Sequence, residues 1–199
     1  MIKLWGLAGL LLLTGCSSLT KVGDYNKDLT DFTDFTGGRR VGIGFSMNHN
    51  RTRVYPETKA CIDLYSKANG FIPVISWRDK SIGIPTIAGM SEKRQEFGVS
   101  ANELITIRVL YPGEADNKYF FSSGVNVAQS VITFKPEVGS FCYVTIDFKH
   151  QESKTGKYLR VYKIVDNAAG KKELQHVNIL NVPNCPGQQP WYTQMGAVM

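Results

Sequence analysis

Apolar and polar residues alternate with a period of two along most of the chain from residue 39 onward. The clearest case is 105–111, Ile-Thr-Ile-Arg-Val-Leu-Tyr, in which every second side chain is apolar. Such alternation predicts β-strands that bury one face. The predicted strands span 39–46, 52–64 with a break near Pro56, 70–77, 105–111, 118–122, 125–135, 141–149, 158–166 and 174–181.

Turn-forming residues separate these strands, as at Pro112-Gly113, Thr155-Gly156 and Ala169-Gly170. No long helical period interrupts them after the first residues of the chain. Eight or nine short strands with turns at this spacing predict an all-β fold. We expect an antiparallel β-sandwich, with a barrel-like closure as the alternative.

Segment 78–98 breaks the alternating pattern. At about twenty residues it is long for a loop in a compact domain, and such loops often carry function. We therefore hypothesise an interaction loop that presents five residues to a partner. These are Lys80, Gly83, Pro85, Lys93 and Arg94. The alternative for this segment is a β-hairpin or a short edge strand, which the pattern does not distinguish from a loop.

The amino terminus has the three zones of a secretory signal. Lys3 supplies a positive start, residues 4–13 are apolar, and the small residues Thr14 and Gly15 precede Cys16. An apolar run of this length is too short to span a membrane, which needs roughly 20 residues. The segment therefore predicts an exported protein.

The four residues Leu13-Thr14-Gly15-Cys16 resemble the lipobox of bacterial lipoproteins. The resemblance implies diacylglycerol on Cys16, cleavage before it, and acylation of the new amino terminus. The alternative is an ordinary signal with a chance cysteine. Ser17 follows Cys16, rather than the Asp that retains lipoproteins in the inner membrane. An outer-membrane anchor with the domain facing the periplasm is therefore expected, with the cell surface or a single cell membrane as alternatives.

Three regions follow from these observations. Residues 1–15 are the signal peptide, 16–38 are the lipidated cysteine and a flexible polar tether, and 39–199 are the β-sandwich domain. Within the domain, the run 134–139, Phe-Lys-Pro-Glu-Val-Gly, resembles a turn found in poorly characterised bacterial envelope lipoproteins. That resemblance implies an extracytoplasmic β-rich domain and carries no catalytic residues.

Lipidation of Cys16 leaves three cysteines in an oxidising compartment, enough for one disulfide and one free thiol. Alternation places Cys142 on the buried face of its strand, where a thiol behaves as a small apolar side chain. We therefore predict a disulfide between Cys61 and Cys185. The competing pairing is Cys61–Cys142.

The chain carries a formal net charge of +6. Export argues against a nucleic-acid partner, so the targets expected of a basic surface are anionic lipid, cell-wall polymer or an acidic protein. The basic side chains cluster at predicted turns, and we hypothesise that they form a cationic rim at one end of the sandwich. Its members are Arg51, Arg53, Lys154, Lys157, Lys171 and Lys172.

Sequence motifs for catalysis are weak. His49, His150 and His176 lack partners at metal-ligand spacing, so we predict no metal site and no cofactor. Neither a Gly-x-Ser-x-Gly elbow nor a phosphate loop occurs. We expect a lipid-anchored, non-enzymatic binding or assembly module in an envelope or secretion complex, with an envelope protein as partner. The alternative is a periplasmic immunity or inhibitor protein that neutralises a toxin or a wall hydrolase.

Overall fold

The computed structural model describes residues 33–46, 52–65, 70, 73, 80–112, 127–147 and 149–189. Within these ranges the chain forms eight β-strands. They are β1 Arg40–Ser46, β2 Thr52–Thr58, β3 Arg94–Ser100, β4 Leu104–Pro112, β5 Val127–Phe134, β6 Phe141–Ile146, β7 Leu159–Asp166 and β8 Lys172–His176.

The strands form two sheets. One has the order β3-β1-β6-β7-β8 and the other the order β2-β4-β5. All pairs are antiparallel except β1 and β6, which run parallel. The prediction of an all-β sandwich is confirmed, and the described strands separate into two sheets instead of closing into one. The parallel pair was not predicted.

The core lies between the inward faces of the two sheets, where alternation along each strand places its apolar residues. Val41, Ile43 and Phe45 of β1 are almost fully buried, as are Ile105 and Ile107 of β4. The remaining buried members of this cluster come from β2 to β7 and from the residue after β3: Val54, Phe97, Val99, Ala101, Val109, Ile132, Phe134, Cys142, Val144, Leu159 and Val161.

Most predicted strands lie where alternation places them, with shifts of a few residues at their ends. The predicted strand 52–64 ends earlier, at Thr58, after an irregular register between Tyr55 and Thr58 on either side of Pro56. Strand 118–122 and nearly all of 70–77 lie outside the described residues.

Segment 78–98 is not a loop throughout. Residues 94–100 form β3, which pairs with β1 at the edge of the five-stranded sheet. The edge-strand alternative is therefore correct for its last residues, and Arg94 belongs to a strand. Periodicity missed β3 because charged and polar residues occupy both of its faces, and nearly all are buried.

The predicted strand 174–181 is also wrong in its second half. Strand β8 ends at His176, and the chain then crosses from one sheet to the other. Val177 N–H donates to Val161 O on β7 at 3.2 Å, and Leu180 N–H donates to Thr133 O on β5 at 2.8 Å. We call residues 177–189 the C-terminal strap.

The predicted tether reaches less far into the chain than residue 38. Asp34 Oδ1 accepts a hydrogen bond from Gly98 N–H at 2.9 Å, and Phe35 N–H donates to Gly98 O at 2.9 Å. Asp34 also pairs with Lys80 at 2.7 Å. Among the described residues, contacts with the domain are thus already present at Asp34, because β3 is an edge strand whose outer backbone groups can pair with this segment. The described ranges contain no helix of the length and hydrophobicity that membrane crossing requires.

Candidate functional site

The outer face of the three-stranded sheet carries the most concentrated buried polarity in the described chain. The core side of β4 is apolar, so alternation turns Thr106 and Arg108 to the opposite side. The register places Arg53 and Val131 beside Arg108 on the two neighbouring strands. A Val–Arg–Arg row therefore crosses the sheet on the side away from the core.

The strap covers this face. Ile62 N–H donates to Pro183 O at 2.8 Å, and Cys185 N–H donates to Ile62 O at 3.0 Å. A disulfide joins Cys61 to Cys185, with 4.8 Å between the Cα atoms. The predicted pairing is thus confirmed, and it ties the strap to the segment after β2.

Between the strap and the sheet lies an open groove of about 460 Å³. This size falls within the range of small-molecule and short-peptide sites. Half of its lining is apolar, and the rest is basic, amide or hydroxyl. The lining residues are Ile62, Arg108, Gln129, Val131, Thr133, Lys157, Ile179, Leu180, Asn181, Val182, Pro183 and Asn184.

Arg108 is the central charged residue of the groove and is only 3% exposed. Its Nη2 donates to Asn184 Oδ1 at 2.8 Å, and its guanidinium lies 5.8 Å from the centre of the Tyr55 ring. Its Nε is buried and has no hydrogen-bond acceptor. No carboxylate of the described residues forms an ion pair with Arg108.

Two more cations lie close to Arg108. Arg53 is 8% exposed, and its Nη1 donates to Thr52 O at 3.1 Å. Lys157 enters the groove from the turn before β7, and its Nζ donates to Val131 O at 2.8 Å. The described lining includes no acidic side chain. Its potential is therefore positive, which favours an anionic ligand with apolar neighbours.

The hypothesised cationic rim is not one surface. Arg53 lies within β2 and is buried, and Arg51 lies outside the described residues. Lys154 lies in the turn before β7, whereas Lys171 and Lys172 lie at the other end of that eight-residue strand. An eight-residue strand is about 25 Å long, so these lysines occupy opposite ends of the sheet. Of the rim residues that the structure describes, Lys157 alone lines the groove.

The hypothesised interaction loop lies on the other sheet. Ile82 and Ile84 pack over Gly42 and Gly44 of β1, whose missing side chains leave room for them. Farther along the loop, Gly89 approaches Leu174 of β8. The segment 80–93 therefore crosses the outer face of the five-stranded sheet and is part of the fold.

The loop residues proposed to contact a partner differ in their exposure and in their contacts. Gly83 and Lys93 are exposed, and Pro85 is half-buried. Lys80 is ion-paired, and its Nζ lies 4.3 Å from the centre of the Phe97 ring. Arg94 is buried on β3. Arg94 is therefore placed inside the domain and does not extend from a loop.

Glu96 anchors this loop from β3. Its Oε2 accepts backbone N–H groups of Ile82 at 2.8 Å and of Gly83 and Ile84 at 3.1 Å. Burial alone would raise the pKa of Glu96, but these hydrogen bonds, with those from Ser81 and Arg94, lower it below its ordinary value.

Cys142 is the free cysteine of the described chain, and its predicted burial is confirmed. Burial raises the pKa of its thiol to about 12, and the nearby Lys163 opposes this only in part. A thiol in this state is a poor nucleophile at neutral pH. Cys142 therefore acts as a core side chain.

Other predicted residues lie apart from the groove or beyond the described chain. Cys16 and His49 are outside the described residues. His150 Nδ1 lies 3.2 Å from Asp147 Oδ2, and His176 Nε2 lies 3.8 Å from Glu152 Oε1. Among the residues with described positions, His, Cys, Asp and Glu do not gather in threes at a spacing that could hold a metal ion.

The alternating pattern of the sequence did not indicate that Arg108 is buried or that a strap covers the small sheet. Arg108 occupies an outward position of an alternating strand, which normally indicates a solvated side chain. One available signal was the mostly apolar run 179–184 just before Cys185, since a disulfide there brings apolar residues back onto the domain.

Comparisons with protein-family models, with curated proteins and with solved structures found no match. The functional interpretation of the groove therefore depends on the chemistry of its own residues.

Proposed function

We propose that this protein is a non-enzymatic binding module of the bacterial envelope. The lipobox-like Leu13-Thr14-Gly15-Cys16 supports attachment to the outer membrane through lipid on Cys16. The domain then faces the periplasm and recruits a protein component of an envelope or secretion complex. In this proposal the groove beneath the strap is the recognition site.

One observation carries the proposal. The groove presents Arg108, a buried cation without an ionic partner among the described residues, between apolar walls. A binding site typically combines an apolar lining with a few fixed polar groups. The strap that forms one wall is held by a disulfide, so the site is preformed and little order is lost when a partner binds.

The groove has the properties of a binding site more than those of a catalytic one. Catalysis requires an activated nucleophile or a positioned acid and base. The titratable groups in its described lining are Arg108 and Lys157, and both are cations engaged by neutral acceptors. These groups suit recognition of a negative charge.

The lipid anchor is tested by metabolic labelling. Cells that express the full chain are grown with radioactive palmitate, and the protein is isolated. We expect label in the wild type and none in Cys16→Ser, together with retention of the uncleaved signal in the variant. Label in Cys16→Ser would contradict the anchor.

The recognition site is tested by photocrosslinking in intact envelopes. A photoreactive residue replaces Ile179 at the groove, 36% exposed, or Val138 on the turn between β5 and β6, 47% exposed, which does not line the groove. We expect a discrete crosslinked species from position 179 and none from 138. Equal crosslinking at both positions would contradict the proposal. A wall hydrolase or a toxin as the captured species would favour the inhibitor class over assembly.

A further inference from the structure

We infer that the groove recognises the carboxylate of an acidic side chain in a peptide segment with aliphatic neighbours. This inference rests on the proposed function and specifies the ligand chemistry of the same site. It starts from Arg108, which is 3% exposed and has Asn184 Oδ1 as a neutral acceptor. Burial of a cation without a countercharge is costly, and an anion in the groove would remove that cost.

The guanidinium has donor capacity to spare. Its Nε is buried without an acceptor, although a guanidinium carries five N–H donors in a planar fork. A carboxylate can accept two of those donors in parallel, which gives a shorter and stronger contact than a neutral acceptor does. Asn184 Oδ1 lies 2.8 Å from Nη2, and a carboxylate oxygen of a ligand would compete with it for this donor.

The charge balance favours a carboxylate over a phosphate monoester. Arg108 and Lys157 are the cations of the described lining, and Val131 O already accepts from Lys157 Nζ. One guanidinium matches one monoanion, whereas a phosphate monoester carries about −1.5 to −2 charges at pH 7.

The rest of the lining fits a peptide. The aliphatic walls of the groove are formed by Ile62, Val131, Ile179 and Val182. None of the described lining residues has an aromatic ring on which a sugar could stack. The amides of Gln129 and Asn181 can pair with the N–H and C=O groups of a peptide backbone. The net charge of +6 favours the approach of an acidic segment.

The experiment compares two probe peptides with the full-length protein in an uncharged detergent. The first is acetyl-Ala-Val-Glu-Val-Ala-amide, and the second has Gln in place of Glu, so the two differ in charge and hardly in shape. We expect calorimetric titration to give binding of the Glu peptide at least about tenfold tighter, as for hydrogen bonds to a charged group. Equal binding of the two peptides, or no binding of the Glu peptide, would overturn the inference.

A variant of the groove tests the site through thermal stability, which needs no added ligand, and then through peptide binding. Asn184→Asp places a carboxylate beside Arg108 with almost no change in volume. We expect a higher Tm and loss of Glu-peptide binding, because the new side chain occupies the guanidinium. Asn178→Asp adds the same charge at an exposed position of the strap that does not line the groove, and it should change neither. Equal Tm values for the two variants would overturn the inference.

Substitution of Arg108 completes the series. Arg108→Lys keeps the charge but removes the fork, so we expect roughly tenfold weaker binding of the Glu peptide. The inference would be contradicted if the protein bound inorganic phosphate, or vesicles with anionic headgroups, more tightly than the Glu peptide. The ligand of the groove would then be a phosphate group and not a carboxylate. Crosslinks from Ile179 that persist in envelopes would then still support the binding-module proposal.

Discussion

Arg94 and Glu96 lie on the same outward face of β3 and form a buried ion pair, with 3.1 Å between Nη2 and Oε1. Their side chains are only 6% and 3% exposed. The other oxygen of Glu96 accepts three successive backbone N–H groups of the loop, and Arg94 donates to Ile84 O at 3.2 Å and Ser91 O at 2.7 Å. The pair therefore fastens both ends of the loop 80–93 to the sheet.

Glu96→Gln should destabilise the protein strongly. The substitution leaves Arg94 buried without its countercharge, and breaking a buried pair costs about 3–5 kcal/mol in the free energy of unfolding. Urea unfolding monitored by fluorescence measures the change. Glu92→Gln, at an exposed position of the same loop, is the control and should stay within about 0.5 kcal/mol of the wild type. A loss below about 1 kcal/mol in Glu96→Gln would contradict a stabilising pair.

The same carboxylate gives the protein a defined sensitivity to acid. The pKa of Glu96 is lower in the folded protein than its ordinary value of 4.5. A depressed folded pKa contributes stability that is complete above pH 4.5 and is lost as the pH falls through the folded value. The gap in unfolding free energy between wild type and Glu96→Gln should thus narrow between neutral pH and pH 3. Urea titrations at several pH values measure this gap, and a constant gap would refute the assignment.

Removal of the disulfide should loosen the strap and the groove together. Cys61 and Cys185 are 124 residues apart, and the loop-entropy relation gives a loss of about 5 kcal/mol when such a link is removed. In Cys61→Ser with Cys185→Ser, we expect a lower Tm and faster hydrogen exchange at the amides of Ile62 and Leu180. Cys142→Ala, which changes the free thiol, should leave the exchange rates of the strap as in the wild type. Unchanged exchange in the double variant would show that packing alone holds the strap.

Gly42 should not tolerate a side chain. A Cβ at this position would lie 2.7 Å from Phe141 Cδ1 and 3.2 Å from Ile82 Cδ1. Gly42→Val should therefore cost about 1–3 kcal/mol, the usual range for overpacking, and should lift the loop from the sheet. Gly38→Val is the control, because a Cβ there meets nothing within 4 Å. Limited proteolysis of segment 80–93 and urea unfolding would check both effects, and equal behaviour of the two variants would contradict the packing argument.

Prediction from sequence succeeded where burial has a local pattern. The alternation at 105–111 identified β4 and its inward residues, and it placed Cys142 in the core. It missed β3, because Arg94 and Glu96 satisfy each other and are buried as a pair. A charged residue at an outward position is normally solvated, so nothing in the order of residues indicated this pairing.

The candidate site was accessible to prediction only in part. The number of cysteines, together with the predicted burial of Cys142, led to the disulfide between Cys61 and Cys185. The clustering of basic residues at predicted turns pointed to Lys157, but the cationic rim predicted from that clustering is not one surface. The sequence did not indicate that Arg108 is buried at a binding groove, because its neighbours along the chain are those of any alternating strand.

The sequence by itself determined the β-class of the fold and the inward face of most strands, because both follow from a two-residue period. The same period favoured the Cys61–Cys185 disulfide by placing Cys142 in the core, and the structure decided between this pairing and Cys61–Cys142. Only the tertiary structure decided what covers the outward faces. The strap lies on the small sheet and the loop 80–93 lies on the large one. The strap contacts the small sheet, and the loop contacts β1, through residues far apart in the chain, and the burial of Arg108 depends on such a distant partner in Asn184.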